Sequence, residues 1–163
     1  MEVGDAEAIF TVGNYYREGE DGFPQDYDKA FELFHRAGDL GCNKAFNNIG
    51  HAYEKGHGVE IDEKKANHYY KLAAIEGNVV ARCNLGIMEV RAGNMNRALK
   101  HLMIAAEGGE PNSLKQIQRL YTNGHATKKD YAKALRAYQA YLAEIKSAQR
   151  DEAAAARADC RYY

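Results

Sequence analysis

The chain of 163 residues has little of several residue types that mark other classes of protein. It contains no tryptophan, only two prolines, and no run approaching the roughly 20 apolar residues of a membrane-spanning helix. Its formal net charge is −1, so it lacks the basic field that attracts nucleic acids. Neither a nucleic-acid partner nor a membrane partner is therefore expected. Abundant Ala, Lys and Glu favour helices.

Cysteine is also scarce, because the chain has three cysteines that lie far apart, at Cys42, Cys83 and Cys160. An odd, scattered set argues against a disulfide framework and predicts thiols in a reducing compartment. The acidic start of the chain lacks the basic and apolar regions of a signal peptide. These features predict an intracellular, cytoplasmic location, or a leader removed beforehand.

An internal repeat organises the chain. Similar segments recur along the chain, and each contains a glycine at the same position. These glycines are spaced by 37 and then 36 residues, at Gly13, Gly50 and Gly86. A fourth, weaker copy has Gln118 at the glycine position. We predict one domain over residues 1–163, made of four repeats and a helical extension, at approximately 6–42, 43–78, 79–110, 111–146 and 147–163.

Each repeat has the pattern of two helices. In the second repeat, apolar residues recur at helical spacing in two runs, Ala45, Ile49, Ala52, Tyr53 and then Ala66, Tyr70, Ala73, Ala74. Asp62 precedes the second run as an N-cap would, and Gly77 follows it as a helix stop. The equivalents are Asp26 or Asp28 with Gly41 in the first repeat, and Asn94 with Gly108 in the third.

The mid-helix glycines need a steric reason, because glycine costs roughly 1 kcal/mol against alanine inside a helix. A bare backbone at Gly13, Gly50 and Gly86 lets the partner helix approach closely. The space between paired helices is filled by one large residue per repeat, namely Phe34, Tyr70, Leu102 and Tyr138. One helix pair cannot bury such a face alone, so stacked neighbours supply the core.

These units resemble Sel1-like repeats, relatives of the tetratricopeptide repeat, over about residues 6–146. The second unit follows the family pattern at Ala45, Ile49, Gly50, Tyr53, Gly56, Gly58, Val59, Asp62, Lys65, Ala66, Tyr70, Ala73, Ala74 and Gly77. The third departs from it, with Glu89 for the tyrosine and a loop five residues shorter. The resemblance implies an all-α, right-handed α-solenoid whose first helices line a concave face. It also implies an adaptor role in multiprotein assemblies, including ubiquitin-ligase complexes.

The fourth repeat changes at its end. Tyr141 and Ile145 stand where earlier repeats have a small alanine and the stop glycine. A terminal repeat has no successor to accommodate, so bulky residues are allowed there. The last helix is predicted to run from about Asp130 into the alanine-rich end, as a capping helix. No polar cap precedes the first repeat, which favours a chain excised from a longer protein.

The sequence offers no catalytic constellation, because it has no nucleophile elbow, no C-x-x-C and no H-E-x-x-H. We predict no catalytic residue, metal or cofactor. His51 and His57 do not share a helical face, and His57 is interpreted as an ordinary exposed loop residue. The paired carboxylates Asp26/Asp28 and Glu60/Asp62 lie at helix starts, where acids favour the positive end of the helix dipole.

Surface positions of the first helices are the candidate binding residues. By analogy with tetratricopeptide arrays, the concave face includes Asn14, Asn47, Asn48, His51, Asn84, Lys115 and Arg119. Amides hydrogen-bond an extended peptide backbone without desolvating a full charge, and Lys or Arg clamps a carboxylate. The alternative is that these are exposed polar positions and amides that pack helices together.

Charge is distributed unevenly along the chain. Residues 1–35 hold nine acids against two bases, whereas residues 113–150 hold eight bases against two acids. Such polarity favours head-to-tail self-association or an acidic partner at the last repeat. The alternative is that the charges lie on solvated helix faces and that their uneven distribution arose by sequence drift without a function.

The sequence therefore predicts a non-catalytic scaffold that binds a protein or peptide through its concave face. One alternative is a hydrolase of the kind claimed for some cysteine-rich relatives, for which Cys83 with a nearby histidine is the best available candidate. Another is a structural spacer within a longer protein.

Overall fold

The computed structural model describes residues 3–159, and the regular secondary structure within them is α-helical. Within those residues it has no strand and eight α-helices: α1 (Val3–Glu18), α2 (Tyr27–Asp39), α3 (Lys44–Lys55), α4 (Glu63–Ile75), α5 (Val79–Arg91), α6 (Met95–Glu107), α7 (Pro111–Thr122) and α8 (Lys128–Asp159). The predicted all-α organisation, with two helices in each repeat, is confirmed. None of these helices is both long and apolar enough to cross a membrane.

The helices fall into two compact units, residues 1–88 and residues 89–163. In the first unit, α1 packs against α2, α2 against α3, and α3 against α4. In the second unit, α6 contacts α7 and α8, and α7 contacts α8. Helix α5 begins in the first unit and ends in the second. That residues 1–163 form a single domain stays a prediction.

Two of the three predicted caps of second helices act as such, whereas the side chain of Asn94 makes no capping hydrogen bond on α6 and donates to Glu89 instead. Asp62 caps α4 by accepting hydrogen bonds from the backbone N–H groups of Lys64 and Lys65. Of the two candidates in the first repeat, Asp26 caps α2 and accepts from the N–H of Lys29. These carboxylates satisfy N–H groups that have no partner within the helix, which agrees with their predicted capping role.

The stop of α6 differs from the prediction by one residue. Gly108 is the C-cap residue with φ −86°, whereas Gly109 adopts the left-handed conformation with φ +85°. Glycine tolerates this conformation because it has no β-carbon. The left-handed residue after α6 is therefore Gly109, the second of two adjacent glycines. It corresponds to Gly41 and Gly77, which are also left-handed.

Two of the three mid-helix glycines, Gly13 and Gly50, confirm the predicted close helix packing. A β-carbon on Gly50 would lie 2.8 Å from the ring atom Cδ1 of Tyr70, and one on Gly13 would lie 2.8 Å from Cε1 of Phe34. Tyr70 is fully buried and donates its hydroxyl hydrogen bond to Glu54, 2.7 Å away. Each glycine thus makes room for the large residue of its own repeat.

The last helix begins at Lys128, two residues before the predicted start. Thr127 and Asp130 form a reciprocal cap, because Asp130 accepts from the N–H and hydroxyl of Thr127 while its own N–H donates to the Thr127 hydroxyl. The helix continues past Ile145, where earlier repeats stop. The ring of Tyr141 packs on the backbone of Gly109, so its bulk serves a contact within the second unit.

Candidate partner-binding face

Asparagine side chains link the first helices of three repeats. Asn48 on α3 donates from Nδ2 to Oδ1 of Asn14 on α1, at 3.0 Å. Asn84 on α5 donates from Nδ2 to Oδ1 of Asn47 on α3, at 3.4 Å. Asn47 and Asn48 are neighbours in sequence. Asn47 bonds to α5, whereas Asn48 bonds to α1. We call these four residues the amide ladder.

Arg17 extends the amide ladder at its α1 end. Its Nη1 donates to Oδ1 of Asn48 at 3.1 Å, and its Nη2 lies 2.8 Å from Oε1 of Glu18. The guanidinium also lies 6.0 Å from the ring centre of Phe34. Its Nε is buried without a hydrogen-bond partner. Arg17 was not among the predicted site residues, although it stands only one helical turn from Asn14.

His57 corrects the sequence interpretation. It is half-buried rather than exposed, and its ring stacks on Tyr27 with centroids 4.1 Å apart. Its Nδ1 is buried without a hydrogen-bond partner. The interpretation as an exposed loop residue is wrong, because the turn after α3 is covered by the start of α2 in the preceding repeat.

A glycine permits this contact between repeats. Gly58 has φ +73°, and a β-carbon there would overlap with the carbonyl oxygen of Tyr27. The turn therefore lies directly against the backbone of α2. The signal in the sequence is the second glycine of "GHG", which has a packing reason as well as a conformational one.

His51 lies beside His57, with ring centroids 5.5 Å apart. Burial, followed by the proximity of His57, lowers the pKa of His51 below its ordinary value. The neutral imidazole is therefore the form that the fold favours. Within the described residues, no group of three or more His, Cys, Asp or Glu side chains is arranged to hold a metal ion.

The space enclosed by these side chains is very small. Arg17, Tyr27, Asn48, His51 and His57 line a cavity of about 10 Å³ together with apolar residues of α2 and α3. This is about the volume that one water molecule needs. Any ligand much larger than water therefore has to bind on the open surface of the face rather than inside it.

Lys115 and Arg119 lie on α7, in the second unit, and both are exposed. They are four residues apart, so they share one side of that helix. The structure thus brings Asn14, Asn47, Asn48, His51 and Asn84 together in the first unit, and Lys115 with Arg119 in the second.

The cysteine considered for a hydrolase is inaccessible. Cys83 is 1% exposed, and Cys42 is buried as well. Burial also raises the pKa of the Cys42 thiol, which keeps it protonated. Cys160 lies outside the described residues. Both described thiols have the surroundings of small packing residues.

Comparison with known proteins establishes the family. The model of the Sel1 repeat matches residues 6–42, 44–78, 81–110 and 119–139. The chain belongs to the Sel1 repeat family. Sel1 repeat proteins generally act as scaffolds for protein interactions.

Curated relatives share part of this Sel1 repeat array. The chain is 29% identical over 101 residues to the ERAD-associated E3 ubiquitin-protein ligase component HRD3B of Arabidopsis thaliana, covering 61% of this chain and 16% of that protein. It is 32% identical over 104 residues to an F-box protein of the same plant, covering 62% of this chain and 28% of the relative. The chain therefore spans about a sixth to somewhat over a quarter of these relatives.

Solved structures confirm the α-solenoid fold of the Sel1 repeats. A Sel1 repeat protein from Oxalobacter formigenes matches with a TM-score of 0.69 and 27% identity, over 85% of this chain and 58% of that one. The protective antigen c5321 of uropathogenic Escherichia coli, which has the same fold, matches with a TM-score of 0.68 and 30% identity, over 85% and 30%.

Proposed function

We propose that this Sel1 repeat chain is a non-catalytic scaffold that binds a protein or peptide partner through the face bearing the amide ladder. The supporting observation is the row of hydrogen-bonded asparagines that joins α1, α3 and α5. We further propose a reducing, cytoplasmic setting, which the sparse and scattered cysteines support. We assign to Lys115 and Arg119 the role of binding carboxylates of the partner.

The amide ladder suits a peptide backbone for a chemical reason. An asparagine amide has two donor hydrogens and an acceptor oxygen, and each ladder bond uses only part of this capacity. Asn47, for example, accepts through Oδ1, which leaves its Nδ2 group to donate to a partner. Because neighbouring ladder residues hold one another, little side-chain entropy is lost on binding.

The members of the face divide into two roles. Asn48 is 8% exposed and bonds both Asn14 and Arg17, so we assign it to positioning. Asn14, Asn47, His51 and Asn84 are partly exposed and are assigned to contact. Arg17 is already paired with Glu18, so its charge is largely satisfied within the chain.

The relatives support an adaptor role in a larger assembly. HRD3B is named as a component of a ubiquitin-protein ligase, and the second relative is named as an F-box protein. We infer that this chain likewise joins proteins in a complex rather than acting alone. Head-to-tail self-association, the other kind of partner predicted from charge, is a separate contact, and the positions of α1 that it would use, Asp5, Ala8 and Ile9, do not include Asn14 of the amide ladder.

The test is selection of peptides from a random displayed library on the immobilised 163-residue chain. Selected peptides are then titrated by calorimetry against wild type and the triple variant Asn47→Ala, His51→Ala, Arg119→Ala. We expect at least a tenfold loss of affinity, since each lost contact contributes about 0.5–1.5 kcal/mol. The matched control replaces exposed residues of the same types on second helices, His68→Ala, Asn96→Ala and Arg97→Ala.

Two results would overturn the proposal. One is a library that yields no peptide binding above an unrelated helical protein, which would favour a spacer. The other is equal affinity for the triple variant and its control, which would reject this face. Circular dichroism of both variants shows whether an affinity loss reflects unfolding.

A further inference from the structure

Helix α8 exposes an apolar face. Leu135, Leu142 and Ile145 are 37%, 38% and 36% exposed. They are seven and three residues apart, so they lie on one side of the helix. The remaining large exposed apolar residues of the second unit lie on other helices.

The repeat alignment shows what this face does elsewhere in the chain. Leu135 and Leu142 occupy the positions of Phe31 and Gly38 on α2. The Phe31 ring meets Tyr53 of α3 at a centroid distance of 5.4 Å. A β-carbon on Gly38 would lie 3.1 Å from the Phe46 ring of α3. On α2, this face therefore holds the first helix of the next repeat.

Among the described residues, no helix follows α8 to cover that face. The surface that fits it in other repeats is the outer side of a first helix, such as that of α3. Helix α1 is also a first helix, and no described helix precedes it. The same alignment puts Ile9 of α1 at the position of Phe46, and Tyr16 at that of Tyr53.

The outer side of α1 has a shape that receives apolar side chains. Ala8 is exposed and Ile9 is half-buried. With Asp5, Arg36 and Leu40 they line an open depression of about 300 Å³. This volume accommodates a leucine side chain of a second molecule. Glu7 lies beside it and bonds Lys44 within the same chain.

Charge is complementary in the register that α2 and α3 define. Phe31 meets Tyr53 and Gly38 meets Phe46, so the two helices run antiparallel. The same register would set Leu142 beside Ile9. It would bring exposed Lys146, one turn further along α8, towards Asp5, one turn earlier on α1.

The opposite ends of the two helices add no second pair of this kind. In the same register, Lys128 at the start of α8 would lie beyond the end of α1 at Glu18. The contact therefore has one flanking pair of opposite charge, Lys146 with Asp5. Arg36 also lines the depression on α1, so a basic residue already lies near the acidic Asp5.

We propose that the exposed face of α8 in one molecule binds the outer side of α1 in a second copy, head to tail. The two surfaces differ, so the contact is heterologous and leaves one free surface at each end of a growing chain. Assembly is therefore concentration-dependent. Salt weakens it, because the flanking ion pair of Lys146 with Asp5 would be solvent-exposed.

The test is sedimentation velocity of the 163-residue chain over a wide concentration range at low and high salt. We expect the average mass of the wild type to rise with concentration, and to rise less at high salt. Leu142→Glu removes the α8 surface, whereas Ala8→Arg removes the α1 surface at an exposed position. Each variant alone is expected to stay monomeric.

Mixing the two variants is the decisive step. Leu142→Glu retains an intact α1 and Ala8→Arg retains an intact α8, so an equimolar mixture should give one-to-one dimers and nothing larger. Ala140→Glu is the matched control, since it adds the same charge to an exposed position on another side of α8. It should assemble as the wild type does.

Two outcomes would overturn this inference. A wild-type chain that stays monomeric at low salt across the whole range has no such contact. If Ala8→Arg self-associates as the wild type does while Leu142→Glu does not, α8 pairs with α8 of another molecule instead. Helical content of each variant, measured by circular dichroism, confirms that the fold is retained.

Discussion

The imidazole ring of His57 stacks on the phenol ring of Tyr27, with centroids 4.1 Å apart and planes inclined by 14°. This pair joins the turn of the second repeat to the second helix of the first. A contact of this kind between repeats, together with helix packing, is what holds a stacked array together. It also explains why a glycine follows His57.

Gly58→Ala should destabilise the first unit more than an ordinary turn substitution. A left-handed alanine costs about 1–2 kcal/mol by itself. At Gly58 the β-carbon would also overlap with the Tyr27 carbonyl, so the turn has to move away from α2. Chemical denaturation followed by circular dichroism measures the difference.

Gly22→Ala is the control for backbone strain alone. Gly22 has φ +82°, and a β-carbon there would meet no atom within 4 Å. Equal losses of stability at Gly58 and Gly22 would show that the contact with Tyr27 contributes nothing beyond the turn conformation.

Gly50→Ala should also destabilise the fold, although alanine favours a helix by about 1 kcal/mol. The added methyl group would press on the buried Tyr70 ring, an overpacking that costs about 1–3 kcal/mol. In a Tyr70→Leu background, which copies Leu102 of the third repeat, the penalty should shrink by at least ~0.5 kcal/mol. A double-mutant cycle by urea unfolding gives this coupling, and additive effects would argue against the clash.

The stability of the first unit should fall as the pH drops below about 6.5. Burial and His57 lower the pKa of His51, as do Lys55 and Arg17, whereas Glu54 acts in the opposite sense. The folded-state pKa lies below the unfolded one, so the unfolded chain takes up the proton first. Stability is then fully present above the unfolded pKa and declines as the pH falls towards the folded one.

His51→Gln should remove part of this pH dependence between about pH 7 and about pH 5. It removes only part, because burial also lowers the pKa of His35. His68→Gln, at an exposed position on α4, is the control for replacing a histidine with glutamine. Unfolding free energies measured across this range check the prediction, and parallel curves for wild type and His51→Gln would contradict it.

Two adjacent asparagines should respond differently to truncation. Asn48→Ala removes two hydrogen bonds from a buried position, including the one that accepts from Arg17, and should cost about 1–2 kcal/mol. Asn47→Ala removes one long bond from a partly exposed position and should cost less than ~0.5 kcal/mol. Thermal unfolding of both variants compares them. Similar costs would mean that the amide ladder does not divide into positioning and contact residues.

Most of the helical framework was predictable because its signals are local. The apolar period identified both helices of each repeat, and carboxylates such as Asp62 marked where second helices begin. The start of α8 was harder, since Thr127, three residues before the predicted start at Asp130, accepts the hydrogen bond that caps the helix. Gly108 was misassigned for a similar reason, because two adjacent glycines satisfy the same pattern.

The candidate binding face was predictable in part. Asn14 and Asn47 were named from their positions on first helices, and the structure places them in the amide ladder. Arg17 was missed because its role depends on a hydrogen bond to Asn48, which lies 31 residues away in sequence. Whether a partner binds these residues stays a prediction.

The sequence by itself determined the repeat, the helix pairs and the glycines between them, because each depends on spacing and on the size of a side chain. Only the tertiary structure decided which polar groups meet. It joined Asn48 to Asn14 and laid His57 on Tyr27. Those contacts cross from one repeat to the next, and their geometry depends on how neighbouring helices stack rather than on any local pattern.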